Sequence, residues 1–345
     1  MKVYFQDNNS DAFSMENHGM GTRSWASIIT AGAFSSWEVK QSVAREAEGG
    51  DLYYPIFALE EPEAHLHPKA QRTLYKQLKS FEGQKIISTH SPYIAGQAEL
   101  EELRHFYKES DESVISEIDL AQLDAKEITR IQENIQSSNG EVLFSNFVVM
   151  SEGKTESILL PIFAQKYFSE ASFSLGIEFI ATGKYYPLLT LMRFLKLKWF
   201  IFSDYDKPDV KSALNDILLK NNVTELNNII KINDEVSQKD IEEYLYDEGY
   251  IIELKEAIKK LKTPEYKNEQ HKIAKEEELK QIFAKIDNYS KDEVLGEVRN
   301  WKVSAARIYA KEIIKRQDVS SIPIKIRELF DRIAEQLNLK ILEDE

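Results

Sequence analysis

Between residues 52 and 203 the chain repeats one pattern: a short apolar run, a turn, and a stretch long enough for a helix. The runs are Leu52 to Leu59, Lys85 to Ser88, Phe147 to Met150, Ile177 to Ala181 and Trp199 to Phe202, and the helical stretches are Lys69 to Phe81, one ending near Tyr167, and Tyr186 to Lys196. Short strands alternating with helices predict βαβ units and a parallel sheet, so the expected class is α/β. What the runs end on narrows the reading further. Glu60 with Glu61, His90, Glu152, and Asp204 with Asp206 all follow strand ends, and ligands of open parallel sheets bind at the carboxyl ends of the strands.

Those acids stand in a chain that is already acidic. With 44 Lys and Arg against 58 Asp and Glu, the 345 residues carry a net charge of -14, which excludes a grip on nucleic acid through bulk positive charge. Any DNA contact must be local. A 42% hydrophobic content suffices for one or two cores, and the absence of cysteine excludes a disulfide framework and a thiol nucleophile. No apolar stretch reaches the roughly 18 residues of a membrane span, and Asp7, Asp11 and Glu16 stand where a secretion signal would be basic and then apolar. The expectation is a cytoplasmic protein without a membrane partner.

From Glu99 to about Asn139 the sequence turns polar and acidic, as a connecting region would, placing a domain boundary near 140. Between Asp240 and Ile286, IELKEAIKKLK and AKEEELKQIFAKI are dense in Lys and Glu, with Thr263 and Pro264 as a break. They predict a solvated helical hairpin rather than a partner-binding coiled coil.

Three elements of the first hundred residues belong together. FALEEPEAHLHP, 57 to 68, is an apolar strand delivering Glu60 and Glu61 before a proline. KIISTHSP, 85 to 92, is a second strand ending at His90. Upstream, NHGMGTRSWASI, 17 to 28, offers Gly19, Gly21 and Ser24 at a helix start, where free amides suit phosphate. An acid at a strand end can hold Mg²⁺ through water, and its neighbour can polarise the water that attacks a γ-phosphate. Singly, an acidic pair after a strand is more often a helix-start charge cluster, and a lone histidine more often a surface residue. In this order they resemble the second lobe of ABC-type ATPase heads of the SMC-like and OLD (overcoming lysogenization defect) kind. The resemblance makes them signature motif, Walker B with its following loop, and switch histidine, with Glu60 where most members have Asp. The G-x-x-x-x-G-K-[ST] loop that cradles phosphates is absent. This chain alone is therefore expected to bind ATP poorly or not at all: a partner chain supplies the first lobe, or this is the carboxyl-terminal part of a longer protein, or the ATPase half is vestigial.

The second constellation is NFVVMSEGKTESILLPIF, 146 to 163, with Glu152 and Glu156 flanking a turn at Gly153, together with KWFIFSDYDKPD, 198 to 209, with Asp204 and Asp206 in alternate positions. Four acids at neighbouring strand ends repel one another unless a cation intervenes, and oxygen-only ligands suit Mg²⁺ or Mn²⁺. Either motif alone reads equally well as a helix cap or a polar loop. Together they resemble the Toprim fold, and E-G-K-T-E-x-x-x-L-P behind an SMC-like lobe is similar to OLD-family nucleases, including the ATPase-nuclease component of Gabija-type phage defence. The resemblance adds Glu242 as a further acid, with Glu243 a near competitor, and Lys302 as a lysine facing the scissile phosphate.

The resemblance thus implies an ATPase second lobe over 1–105, a connector over 106–140, a Toprim nuclease domain with a Rossmann-like parallel sheet over 141–310 with a helical insertion about 245–290, and carboxyl-terminal helices over 311–345. It implies a DNA endonuclease whose metal is held by Glu152, Glu156, Asp204, Asp206 and Glu242, with Lys302 on the phosphoryl oxygens, Glu61 catalytic toward ATP, and Lys154, Lys184 and Lys207 along the DNA approach. DNA, a homo-oligomer or a first-lobe partner, and a role in anti-phage defence are the expected context. The rivals are another Toprim activity, such as DNA repair or strand passage, and a non-catalytic ATPase-associated scaffold.

Overall fold

The computed structural model describes residues 4–5, 13–14, 16, 18–46, 48–109, 111–136, 140–182, 185–204, 228–233, 239–264, 269–316 and 318–339. The chain divides into two compact units, Met1–Phe144 and Ser145–Glu345.

The first unit opens with an antiparallel pair, β1 (Tyr4–Phe5) and β2 (Phe13–Ser14), then α1 (Met20–Glu46). Next come β3 (Ile56–Glu60), α2 (Pro68–Lys79) and β4 (Gln84–Ser88), which form a parallel βαβ unit with Glu60 opposite Ser88. His67 caps α2, its ring Nδ1 accepting from the Ala70 amide at 3.3 Å, and Pro68 occupies the first helical position, where no amide hydrogen is needed. Gly83 turns the chain into β4 at φ +94, with the Pro55 carbonyl 2.3 Å from where a Cβ would stand, so only glycine fits. Beyond β4 lie α3 (Pro92–Ala95), the hairpin β5 (Arg104–Glu109) and β6 (Glu112–Glu117), and α4 (Ala125–Asn134). The polar 106–140 stretch therefore carries regular structure, with Asp124 and Glu127 forming a reciprocal cap on α4. The strand expected from Leu52 begins only at Ile56, and Leu52, Tyr53 and Tyr54 are exposed.

The second unit is built on β7 (Phe147–Ser151), α5 (Lys154–Phe168), β8 (Ile177–Ala181), α6 (Tyr185–Leu195), β9 (Lys198–Ser203) and β10 (Ile229–Lys231). The sheet is parallel throughout, in the order β10-β9-β7-β8. The chain leaves β7 for β8 on one side and returns to β9 on the other. That reversal opens a crevice at the carboxyl ends of β7 and β9, the switch point where such sheets bind ligands. Then follow α7 (Ile241–Asp247), α8 (Ile251–Lys262), α9 (Glu269–Asp287), α10 (Lys291–Ile313) and α11 (Ile324–Leu337). One core joins Phe147 and Phe200 of the sheet and Phe163 of α5 to Leu254, Ile258, Tyr309 and Phe330 of these helices. The Lys- and Glu-rich segment is thus only partly solvated: α8 buries Leu254, Ala257 and Ile258 at helical spacing and packs along α10. No helix among the described residues is long and apolar enough to cross a membrane.

Candidate functional site

Strand register determines where the second unit's acids lie. Ser151 pairs with Phe202, so Glu152 and Ser203 emerge side by side at the sheet's carboxyl edge, and the Ser203 hydroxyl donates to a Glu152 carboxylate oxygen. Asp204 follows one residue later, half-buried, its carbonyl accepting from the Asn233 side-chain amide beyond β10. Asp206 lies outside the described residues, as do Lys184 and Lys207.

Glu156 stands in the first turn of α5, where the helix dipole favours a carboxylate. It is buried, and one of its carboxylate oxygens has no hydrogen-bond partner. A Cβ on Gly153 would come 2.5 Å from that oxygen, so the glycine is what lets the carboxylate fold back over the turn. Burial, with Glu242 and Glu152 nearby, pushes the Glu156 carboxyl up to about 7. Glu242 is buried on α7, accepts from the Thr155 hydroxyl at 3.4 Å, and is also raised, first by burial and then by Asp240.

Its neighbour Glu243 is turned the other way. Asp240 caps α7 by accepting from the Glu243 amide at 2.9 Å, and Arg299 of α10 clamps Asp240 with two bonds of 2.7 and 2.9 Å. Glu243 itself pairs with Lys291 at 2.9 Å and Arg299 at 3.5 Å. Of the two candidates, Glu242 faces the other acids and Glu243 faces cations.

Two tyrosines join this edge that sequence reasoning passed over. Tyr185 at the start of α6 and Tyr309 in α10 are buried, and neither hydroxyl has a hydrogen-bond partner. Burial raises both hydroxyl pKa values, and Glu156 and Asp204 act on each. Lys302 is exposed, at a break in α10 where its φ is +34. A non-glycine residue held there stores on the order of 1–3 kcal/mol of strain, and such strain clusters at functional sites. Lys154 is exposed at the first position of α5.

These donors fit a hard divalent cation in kind: carboxylates alone, two of them buried, with an unpartnered oxygen on Glu156. Among the described residues, no three His, Asp or Glu side chains are yet drawn close enough to hold an ion.

In the first unit, three elements meet at one strand edge. The Glu61 amide donates to the Ser88 carbonyl at 3.0 Å, and His90 Nε2 lies 3.5 Å from the Glu61 carboxylate, both side chains exposed. Glu61 has φ +40 and His65 φ +67. Glu63 is buried between the strands, accepting from the Thr89 hydroxyl at 2.5 Å and the His90 amide at 3.2 Å. Glu60 ends β3 exposed. Only Gly19 precedes α1. Gly21 and Ser24 lie inside its first turns, and a Cβ on Gly21 would come 2.5 Å from the His65 carbonyl, so the start of α1 rests on the loop that follows β3.

Comparison with known proteins agrees with this division. Residues 2–96 match a family described as an AAA domain, in a description that also names the AbiEii toxin and Type IV TA systems, and residues 143–206 match the overcoming lysogenization defect protein-like Toprim domain. The chain is 35% identical over 104 residues to the OLD nuclease of Thermus scotoductus, covering 28% of this chain and 20% of that protein. It is 25% identical over 170 residues to the uncharacterized protein YbjD of Escherichia coli K12, covering 49% and 31% respectively. The matches thus span a third or less of the length of these relatives. Among solved structures, the carboxyl-terminal region of the Burkholderia pseudomallei OLD protein aligns at 18% identity and TM-score 0.40, covering 56% of this chain and 99% of that one. That of Xanthomonas campestris aligns at 19% identity and TM-score 0.41, covering 57% and 98%.

Proposed function

For a chain that carries an OLD-like Toprim domain behind an AAA-type ATPase segment, we propose a metal-dependent endonuclease that hydrolyses DNA phosphodiester bonds. The observation that carries the reading is the gathering of Glu152 and Asp204, from the ends of two strands, with Glu156 and Glu242, from the first turns of two helices, at one carboxyl edge of a parallel sheet. Asp206 completes the proposed ligand set. Mg²⁺ or Mn²⁺ held by these carboxylates would supply a water nucleophile at neutral pH and charge stabilisation for the leaving oxygen. The chain's own residues do the rest. Ser203 fixes the Glu152 carboxylate, Thr155 fixes that of Glu242, and the Asp240–Arg299 clamp holds α7 so that Glu242 points inward. Lys302 offsets charge building on the phosphoryl oxygens.

The first unit supplies Glu60, Glu61, His90 and the Gly19–Ser24 turn as half of an ATP site. Completed by a first lobe, it regulates the nuclease through differential affinity of ATP for open and closed arrangements. Anti-phage defence is the proposed setting. The test is plasmid nicking by the purified chain with Mn²⁺ or Mg²⁺, with and without chelator. Nicking that survives chelation sinks the metal reading, and no nicking under any divalent cation favours the scaffold.

A further inference from the structure

Three orphaned oxygens among the described residues of the second unit share one neighbourhood. Buried polar atoms in folded proteins almost always find a partner, and exceptions mark groups that wait for a ligand, an ion or water. Here Glu156 has an unpartnered carboxylate oxygen, and the hydroxyls of Tyr185 and Tyr309 have none either, although the first tyrosine is 5% exposed and the second 0%. All three lie among the same acids: Glu156 and Asp204 act on both hydroxyls, Glu152 on that of Tyr185, and Glu242 on that of Tyr309.

The two tyrosines reach the site from opposite elements. Tyr185 opens α6 beyond the carboxyl end of β8. Tyr309 lies on α10 about two turns beyond Lys302, among buried Ala305, Ala306 and Ala310, whose small side chains let α10 pack against α5, which carries Glu156. An aromatic ring placed only to fill the core needs no hydroxyl. Phenylalanine fills the same volume without leaving a polar atom unsatisfied, which costs about 1–3 kcal/mol.

We propose that Tyr185 and Tyr309 are positioning residues of the carboxylate site, whose hydroxyls donate hydrogen bonds to carboxylate oxygens or water around a bound divalent cation. The inference rests on the metal-dependent reading of that site. A phenol hydroxyl carries its proton at neutral pH and so offers each carboxylate a hydrogen-bond donor. Donors to ligating carboxylates fix their orientation, and losing such a partner typically weakens metal binding 10–100-fold.

The experiment is Mn²⁺ binding, by calorimetry and by electron paramagnetic resonance, on the wild-type chain and on Tyr309→Phe and Tyr185→Phe, with melting temperatures measured with and without Mn²⁺. The proposal expects each variant to melt at or above the wild-type temperature without metal, because an unsatisfied hydroxyl has gone. It expects Mn²⁺ affinity to fall about tenfold or more, and the Mn²⁺-induced rise in melting temperature to shrink accordingly. Variants that lose stability equally with and without Mn²⁺ and bind it as the wild type does would be structural tyrosines, and the proposal fails while the metal site stands. A wild-type chain that neither binds Mn²⁺ nor gains stability from it overturns the metal reading and the tyrosine roles with it.

Discussion

The two parallel sheets among the described residues are covered differently. In the second unit, β7 is buried at every residue, and β9 at all but Lys198, as expected of strands with layers on both faces. In the first, β3 and β4 alternate, and the face carrying Ile56 and Ile86 is exposed at 64% and 58%. Phe34, Trp37, Phe106 and Ile115 of that unit are exposed as well. A two-stranded parallel sheet is marginal by itself. The Toprim unit therefore holds its site with its own core, whereas the ATPase segment sets its acids and histidine on strands that its described residues leave open. Chemistry follows the same line. The second unit gathers its acids from its own elements, while the first sets Glu60, Glu61 and His90 at one strand edge and the sequence lacks the phosphate-cradling loop.

Activity separates the two units most. Glu152→Ala and Asp204→Ala are each expected to cut divalent-dependent nicking by ~1,000-fold or more, beyond the 10–100-fold cost of losing a group that only orients a ligand. Circular dichroism should show both variants folded, since removing one of several clustered carboxylates relieves repulsion. Full nicking by either variant would remove the site from the second unit. In the same assay the chain alone should hydrolyse no ATP. Turnover without an added first lobe would show that the first unit is complete after all.

Stability provides the next contrast. Phe200→Ala, in the core of the four-stranded sheet, should cost about 3–5 kcal/mol. Ile86→Ala, on the open face of β4, should cost ~0.5 kcal/mol or less, because an exposed side chain gives up little buried area. Urea titrations measure both. A large loss at Ile86 would mean that this face is covered in solution.

A smaller effect tests the turn that sets Glu156. Gly153→Ala places a methyl group where the buried carboxylate oxygen now lies, and the far end of a glutamate yields before the backbone does. The expected result is an unchanged melting temperature with roughly tenfold weaker Mn²⁺ binding, about 1.4 kcal/mol. A drop in stability without a change in affinity would show that the backbone had moved instead.

What could be read from the sequence follows how local each feature is. Glu152, Glu156 and Asp204 were legible because strand ends and first turns are written in short runs of residues. The choice between Glu242 and Glu243 was not, because adjacent acids on one helix look alike and the selection is made by Lys291 and Arg299, far along the chain. Tyr185 and Tyr309 were passed over for the same reason: an aromatic residue at helical spacing reads as core, and only the fold reveals where its hydroxyl ends up. The buried face of α8 was hidden by its charges, although Leu254, Ala257 and Ile258 keep helical spacing. At Lys302 nothing in the local sequence predicts a positive φ inside a run of helix formers.

The smallest expected effect concerns acid, and it belongs to the second unit's surface. Glu312 of α10 is held below the usual carboxylate range by Lys260 of α8, at 2.5 Å, and by Lys315, at 2.7 Å. Asp247 is lowered in the same way, by Lys239 and then Lys291. A carboxyl depressed in the folded state contributes stability that is fully present above its unfolded pKa, near 4.3 for Glu, and is lost as pH falls through the folded value. The ion pair that ties α8 to α10 should therefore weaken below about pH 4. Because both lysines are well exposed, water and salt screen the pair, and the loss should be about 1 kcal/mol or less. Glu312→Gln should lower the melting temperature slightly at pH 7 and flatten its decline between pH 5 and 3, with the difference shrinking in high salt. Parallel curves for wild type and variant across that window would mean that the core packing of Leu254 and Ile258, and not this pair, carries the α8–α10 contact.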